Sequence, residues 1–246
     1  MCFVFAMSHL NTKMRFTPIA LSLVLLFSCA EDAELKRTRS LANAGDATAQ
    51  YNLGSMYYKG EGVIKDYKEA VKWFTKAAEQ GFAMAQFTLG VMYRKGDGVP
   101  QDYKKAFKWN KLSADQGYVK AQRNLGVSYL KGDGVPQDYE KAFKLFKLLA
   151  DQGDSIAQFS LGTMYDYGEG VPQDYKEALK WYRLSAEHGN AKAPFNLGVM
   201  YYNGEGVPKD YKEAYAWWSV AKSNGHEVAA MNLGALEKEM TKEQIA

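Results

Sequence analysis

What this 246-residue sequence has little of narrows its chemistry before any motif does. Its two cysteines, Cys2 and Cys29, both fall within the first 30 residues, so the remainder can build neither a disulfide framework nor a Cys-based metal site. Histidine is scarce as well: beyond the leader only His188 and His226 occur, at different points of the sequence pattern and without H-E-x-x-H spacing. No G-x-S-x-G is present. Charge of one sign is also lacking. Lys and Arg number 31 against 28 Asp and Glu, and without residues 1–30, which hold Lys13 and Arg15 and no acid, the balance is 29 to 28, a net +1. Such a balance argues against a nucleic-acid partner. The apolar run Phe16 to Phe27 covers 12 residues, short of the roughly 20 that a spanning helix needs.

Glycine and aromatics are what the chain does have, and they are periodic. Leu-Gly stands at 53–54, 89–90, 125–126, 161–162, 197–198 and 233–234, always 36 residues apart. G-x-G recurs at the same step, from Gly60-Glu61-Gly62 to Gly204-Glu205-Gly206. With the series Gly45, Gly81, Gly117, Gly153, Gly189 and Gly225, these account for all 22 glycines. None is left over for a phosphate-binding loop, so Gly60-Glu61-Gly62 reads as a helix-ending turn.

Each period reads as helix, glycine turn, helix, glycine turn. Ala85, Leu89, Met92, Tyr93 and Gly96 share one face of a first helix, while Ala106, Trp109 and Ser113, or Phe107 and Ala114, give the same spacing in a second. Asp66, Asp102, Asp138, Asp174 and Asp210 precede the second helices as N-caps, with Glu69, Glu177 and Glu213 placed to complete capping boxes. The Leu-Gly glycine lies inside a helical pattern, where it costs about 1 kcal/mol against Ala, and close helix packing is the expected compensation. Composition, with 47% hydrophobic and 24% charged residues, is of globular type.

A-x-A-Q-x-x-L-G-x-x-Y, followed by G-x-G-V-P-x-D-Y-x-x-A-x-x-W and A-x-x-G, resembles the Sel-1-like repeat family, a longer-period relative of tetratricopeptide repeats. The resemblance covers about Asp46 to Gly225, with Ile64 in place of the loop proline in the first unit and Pro194 in place of the helix Gln in the fifth. It implies an all-α fold, a right-handed α/α solenoid of stacked antiparallel helix pairs. Five full repeats over 46–225 would be flanked by a capping helix in 31–45 and another in 226–246.

Residues 1–30 differ in kind. Met14-Arg15, the apolar run and the small residues Ser28, Cys29 and Ala30 have the layout of a secretory signal peptide, with Met14 an alternative start. Leu26-Phe27-Ser28-Cys29 resembles a bacterial lipobox, which would make Cys29 a lipidation site; cleavage after Ala30 is the competing reading. The expected location is therefore exported: periplasm, outer membrane through a lipid anchor, or secreted.

Lys72, Lys108, Lys144 and Lys180 form a column on the second helices, read as a solvated outer face with its neighbouring acids. The face of the first helices opposite Leu53 carries three other columns, and in solenoids resembling this one the first helices line the concave surface. One column is Tyr51, Phe87, Arg123, Phe159 and Phe195; the next Ser55, Val91, Val127, Thr163 and Val199; the last Tyr58, Arg94, Leu130, Asp166 and Tyr202. The first column also fits packing against a neighbouring unit, and the third varies while the scaffold stays fixed. Aromatic residues with occasional Arg favour protein interfaces. These residues point to a non-enzymatic adaptor in the bacterial envelope that holds a protein or peptide and needs no cofactor or metal. The alternatives are an envelope glycan, peptidoglycan or exopolysaccharide, stacked on tyrosines, and, more remotely, an envelope hydrolase.

Overall fold

The computed structural model describes residues 33–240, and all regular structure among them is helical. The leader, Cys29 and the last six residues lie outside the described part, and with them the signal-peptide and lipidation readings. The chain divides into two compact units, 1–80 and 81–246.

In the first unit a helix over 33–43 (α1) is followed by α2 (Ala47–Lys59) and α3 (Tyr67–Glu79). Ala42, Ala49 and Leu53 form its core, with Leu35, Met56, Tyr57 and Trp73 packed around them. The Gly60 turn behaves as the sequence predicts. Gly60 is left-handed at φ 81° and its N–H bonds to the Met56 carbonyl at 2.8 Å, joined by the Glu61 N–H at 3.0 Å.

The second unit repeats the pair: α4 (Ala83–Lys95) with α5 (Tyr103–Asp115), α6 (Val119–Lys131) with α7 (Tyr139–Asp151), α8 (Ser155–Tyr167) with α9 (Tyr175–Glu187), and α10 (Ala193–Asn203) with α11 (Tyr211–Ser223). A single first helix, α12 (Glu227–Glu239), ends it. Each helix packs on the next in sequence, so every pair buries its apolar stripe only by stacking, as a solenoid requires. Leu89, Met92, Leu161, Met164, Leu197 and Met200 are essentially inaccessible.

Two details depart from the sequence reading. The N-cap aspartates accept from the N–H groups ahead of them, Asp174 for instance from Lys176 and Glu177, but no capping box closes. The Asp174 N–H instead bonds to the Tyr165 carbonyl at 2.9 Å, and Asp66 and Asp210 bond likewise to Tyr57 and Tyr201. The backbone donor that Glu69, Glu177 and Glu213 would have satisfied is already taken by the preceding helix, and Glu69 and Glu177 pair with Lys72 and Lys180. The second departure is at Pro194. First helices in this unit begin at Ala83, Val119 and Ser155, but α10 begins at Ala193, two residues late in register, placing the proline in the first turn where it needs no acceptor. The carboxamide it replaces is part of a hydrogen-bonded ladder elsewhere: Gln158 donates to the Ala150 carbonyl at 3.1 Å and meets His188 Nδ1 at 2.9 Å.

Candidate functional site

The helix-pair geometry decides what the first-helix face can present. Each second helix places one side chain directly beneath the Leu-Gly glycine: Phe74 under Gly54, Asn110 under Gly90, Phe146 under Gly126, Tyr182 under Gly162 and Trp218 under Gly198. A Cβ at Gly162 would lie 2.7 Å from the Tyr182 ring and one at Gly126 2.8 Å from Phe146, closer than carbon atoms can pack. The glycine therefore exists so that this side chain can reach up between the first helices. Sequence reasoning missed the column, four aromatics and Asn110, because the glycine above each of them lies in a different helix and spacing within one helix does not connect the two.

All fifteen predicted partner-binding residues are partly buried, neither sealed in the core nor freely exposed. In the first unit Tyr51 and Ser55 line a cleft of about 640 Å³ with Asn52, Met56, Lys59 and Glu34, while Tyr58 leans on Tyr67 at 5.0 Å between centroids. In the second unit Phe87, Val91 and Arg94 come together in a cleft of about 530 Å³, closed by Lys95, Gln101, Tyr103 and Asn124. Val199 and Tyr202 line a smaller, apolar one of about 210 Å³ with Trp218, Asn232, Ala235 and Leu236. Phe159 packs on the Tyr182 ring, whose hydroxyl donates to Asp166 Oδ2 at 3.1 Å and lies 3.2 Å from the Thr163 hydroxyl. Val127 and Leu130 border the apolar core of the third repeat.

Three residues of the first column pack against the residue that caps the following first helix. Phe87 packs on Tyr118 at 5.3 Å, Arg123 pairs with Asp154 at 3.2 Å, and Phe195 stacks on the His226 ring at 4.2 Å. A further set belongs to the face and was not anticipated. Asn124 and Asn232 line the clefts of neighbouring repeats, and Asn124 donates to the Asn110 side chain at 3.3 Å. The 36-residue step from Asn124 through Ser160 and Asn196 to Asn232 was the available signal.

Electrostatics separate the repeats. Burial pushes the Asp166 carboxyl above the usual carboxylate range, opposed by the Tyr182 hydroxyl and reinforced by the charge of Glu205. Burial likewise pushes the Tyr182 phenol up, so it stays a neutral donor. On the second helices, by contrast, Lys72, Lys144 and Lys180 are exposed and paired with Glu69, Glu140 and Glu177, the solvated face that the sequence predicts. Among the described residues no group of three or more His, Cys, Asp or Glu side chains could hold a metal ion.

Stacked helix pairs with an open first-helix face define a helical repeat protein of the solenoid class, generally a binding scaffold without catalysis. The chain belongs to the Sel1 repeat family, whose model matches five times, over residues 47–82, 83–118, 119–154, 155–190 and 191–226. Among solved structures it is similar to a protective antigen of uropathogenic Escherichia coli strains displaying an SLR fold. There the TM-score is 0.77 and the identity 40%, over 82% of this chain and 43% of the antigen. A Sel1 repeat protein from Oxalobacter formigenes is 34% identical at TM-score 0.71, over 82% of this chain and 89% of its own. A sel1-like repeat-containing protein of Acanthamoeba polyphaga mimivirus is 39% identical over 56 residues, 23% of this chain. This chain spans only 10% of that viral protein and less than half of the antigen.

Proposed function

We propose that the protein is an exported, non-enzymatic adaptor of the bacterial envelope that holds a protein or peptide segment on its first-helix face. The observation that carries this reading is the contrast between the two helix faces: clefts open at Val91 and Arg94 and at Val199 and Tyr202, whereas the second helices turn exposed ion pairs outward. Export rests on the leader within residues 1–30, and attachment through Cys29 is one form of it. A crosslinking pull-down from envelope extract tests the binding reading, comparing the full chain with a variant carrying Tyr58→Ala, Arg94→Ala and Tyr202→Ala. One identified protein held by the parent and lost by the variant is the expected result; equal capture by both would move the site off this face. The stacked rings of Tyr202 and Tyr211, 5.4 Å apart, favour a second reading, an envelope glycan, which retention on peptidoglycan or exopolysaccharide without any protein capture would support.

A further inference from the structure

The apolar cleft between the fifth repeat and the last helix is small enough to suit one side chain. Its volume is about 210 Å³, and its walls are Val199, Tyr202, Trp218 and Leu236 with a single amide, Asn232. The Trp218 indole is fixed from below, its N–H donated to the Phe195 carbonyl at 3.1 Å, so the ring forms a rigid floor. Rigid aromatic floors with one polar group are what anchor pockets for a single apolar side chain look like.

One repeat earlier, in the same column as Tyr202, stands Asp166. Its carboxylate is partly buried and its side-chain partner is a neutral phenol, Tyr182. The charge of Glu205, on the turn that follows α10, adds to that of Asp166. Among the described residues no ion pair reaches either acid; Lys209 lies over the rings of Tyr202 and Tyr211 instead. A half-desolvated carboxylate without a cation is unfavourable on its own, and a cation brought by a partner relieves it. Apolar cleft and unneutralised acids thus ask for opposite ends of one segment.

Building on the adaptor reading, we infer that the cleft of Val199, Tyr202 and Trp218 docks an apolar side chain of a basic partner segment, whose neighbouring Lys or Arg sits on Asp166. The occupant is an extended peptide: a chain advancing about 3.3 Å per residue carries side chains to successive repeats with few residues between them and leaves its backbone polar groups to water.

The probes are acetylated, amidated alanine peptides carrying one Lys and one Leu at spacings of about two to five residues, given an advance of about 3.3 Å per residue in an extended chain. Calorimetric titration into the full chain should find a preferred spacing, weaker in salt. The Asp166→Asn variant, which keeps an acceptor for Tyr182, should lose affinity about tenfold, as expected for one charge-assisted contact. Tyr202→Ala should lose a similar factor and Lys144→Ala, on the exposed second-helix face, none, while Asp166→Glu should restore much of the Asn variant's loss. Peptides with Glu in place of Lys should not bind. Equal binding of Lys and Glu peptides, or an Asp166→Asn variant that binds as the parent does, would overturn the inference. A protein captured on the first-helix face with no Lys-dependent peptide binding would sink this inference alone. Absence of any first-helix partner, of peptide or protein, would sink it together with the adaptor reading.

Discussion

Gly198 and Gly234 occupy the same place of the same motif, each following its leucine inside a first helix. A Cβ at Gly198 would overlap the Trp218 indole, while one at Gly234 would meet nothing within 4 Å. The difference lies outside the helix that carries the glycine: α10 has a second helix behind it and α12 has no such partner among the described residues. A residue that looks like a local rule of the repeat is therefore a tertiary requirement, imposed by the side chain that the next helix inserts. The same holds for the turns. The second glycine of G-x-G at Gly134 lies against the backbone of Tyr103 from the preceding repeat, whereas a Cβ at Gly153, equally left-handed at φ 86°, would meet only the edge of the His188 ring, at 3.9 Å.

Substitutions can break this comparison in graded steps. Gly134→Ala combines a left-handed alanine with overlap onto the Tyr103 carbonyl, which cannot rotate away, and should cost about 3 kcal/mol or more. Gly153→Ala should cost only about 1 kcal/mol, so urea midpoints that rank the two equally would contradict the packing argument. Next comes Gly198→Ala, expected to lose about 1 to 3 kcal/mol by overpacking. Paired with Trp218→Ala it should cost less than the sum of the two changes, which a double-mutant cycle measures. Gly234→Ala should go the other way, raising stability by about 0.5 to 1 kcal/mol through helix propensity alone.

The smallest effect is electrostatic. The Asp166 carboxyl titrates higher in the folded chain than its ordinary value of 3.8, so the native state binds the proton more tightly than the unfolded one. Its contribution to stability is then most favourable below 3.8 and is lost as pH rises through the raised folded value. Asp166→Asn should accordingly match the parent at acidic pH and become the more stable of the two toward neutrality, a divergence that thermal melts across pH would reveal.

How much of this was legible without coordinates depends on whether a residue's partner lies in its own helix. Helix spans, the Asp66 series of caps, the left-handed Gly60 turn and the buried Leu89 and Met92 stripe follow from spacing alone, and the structure has them where the 36-residue step predicts. Features set by a neighbouring helix did not. Asn110 is polar and was left off the buried face, yet it is 2% exposed because Gly90 opens a slot for it and its amide bonds to the Ala106 carbonyl. Glu177 has capping-box spacing, but the Tyr165 carbonyl, on the preceding helix, already takes the Asp174 donor it would serve. Of the candidate site, the second and third columns were legible as a face, since a helical wheel suffices to place them. The floor beneath that face was not, because Phe146, Tyr182 and Trp218 reach it from the second helices, and only the packing of the pair brings them under the glycines.

The central claim is that partners meet the first helices and not the second. Photocrosslinking residues placed singly at Val199 and at Lys144, in the full chain exposed to envelope extract, test it most directly. The account predicts one protein band, the same by mass spectrometry in repeat experiments, from the Val199 position and none from Lys144. The same band from Lys144 with none from Val199 would contradict it.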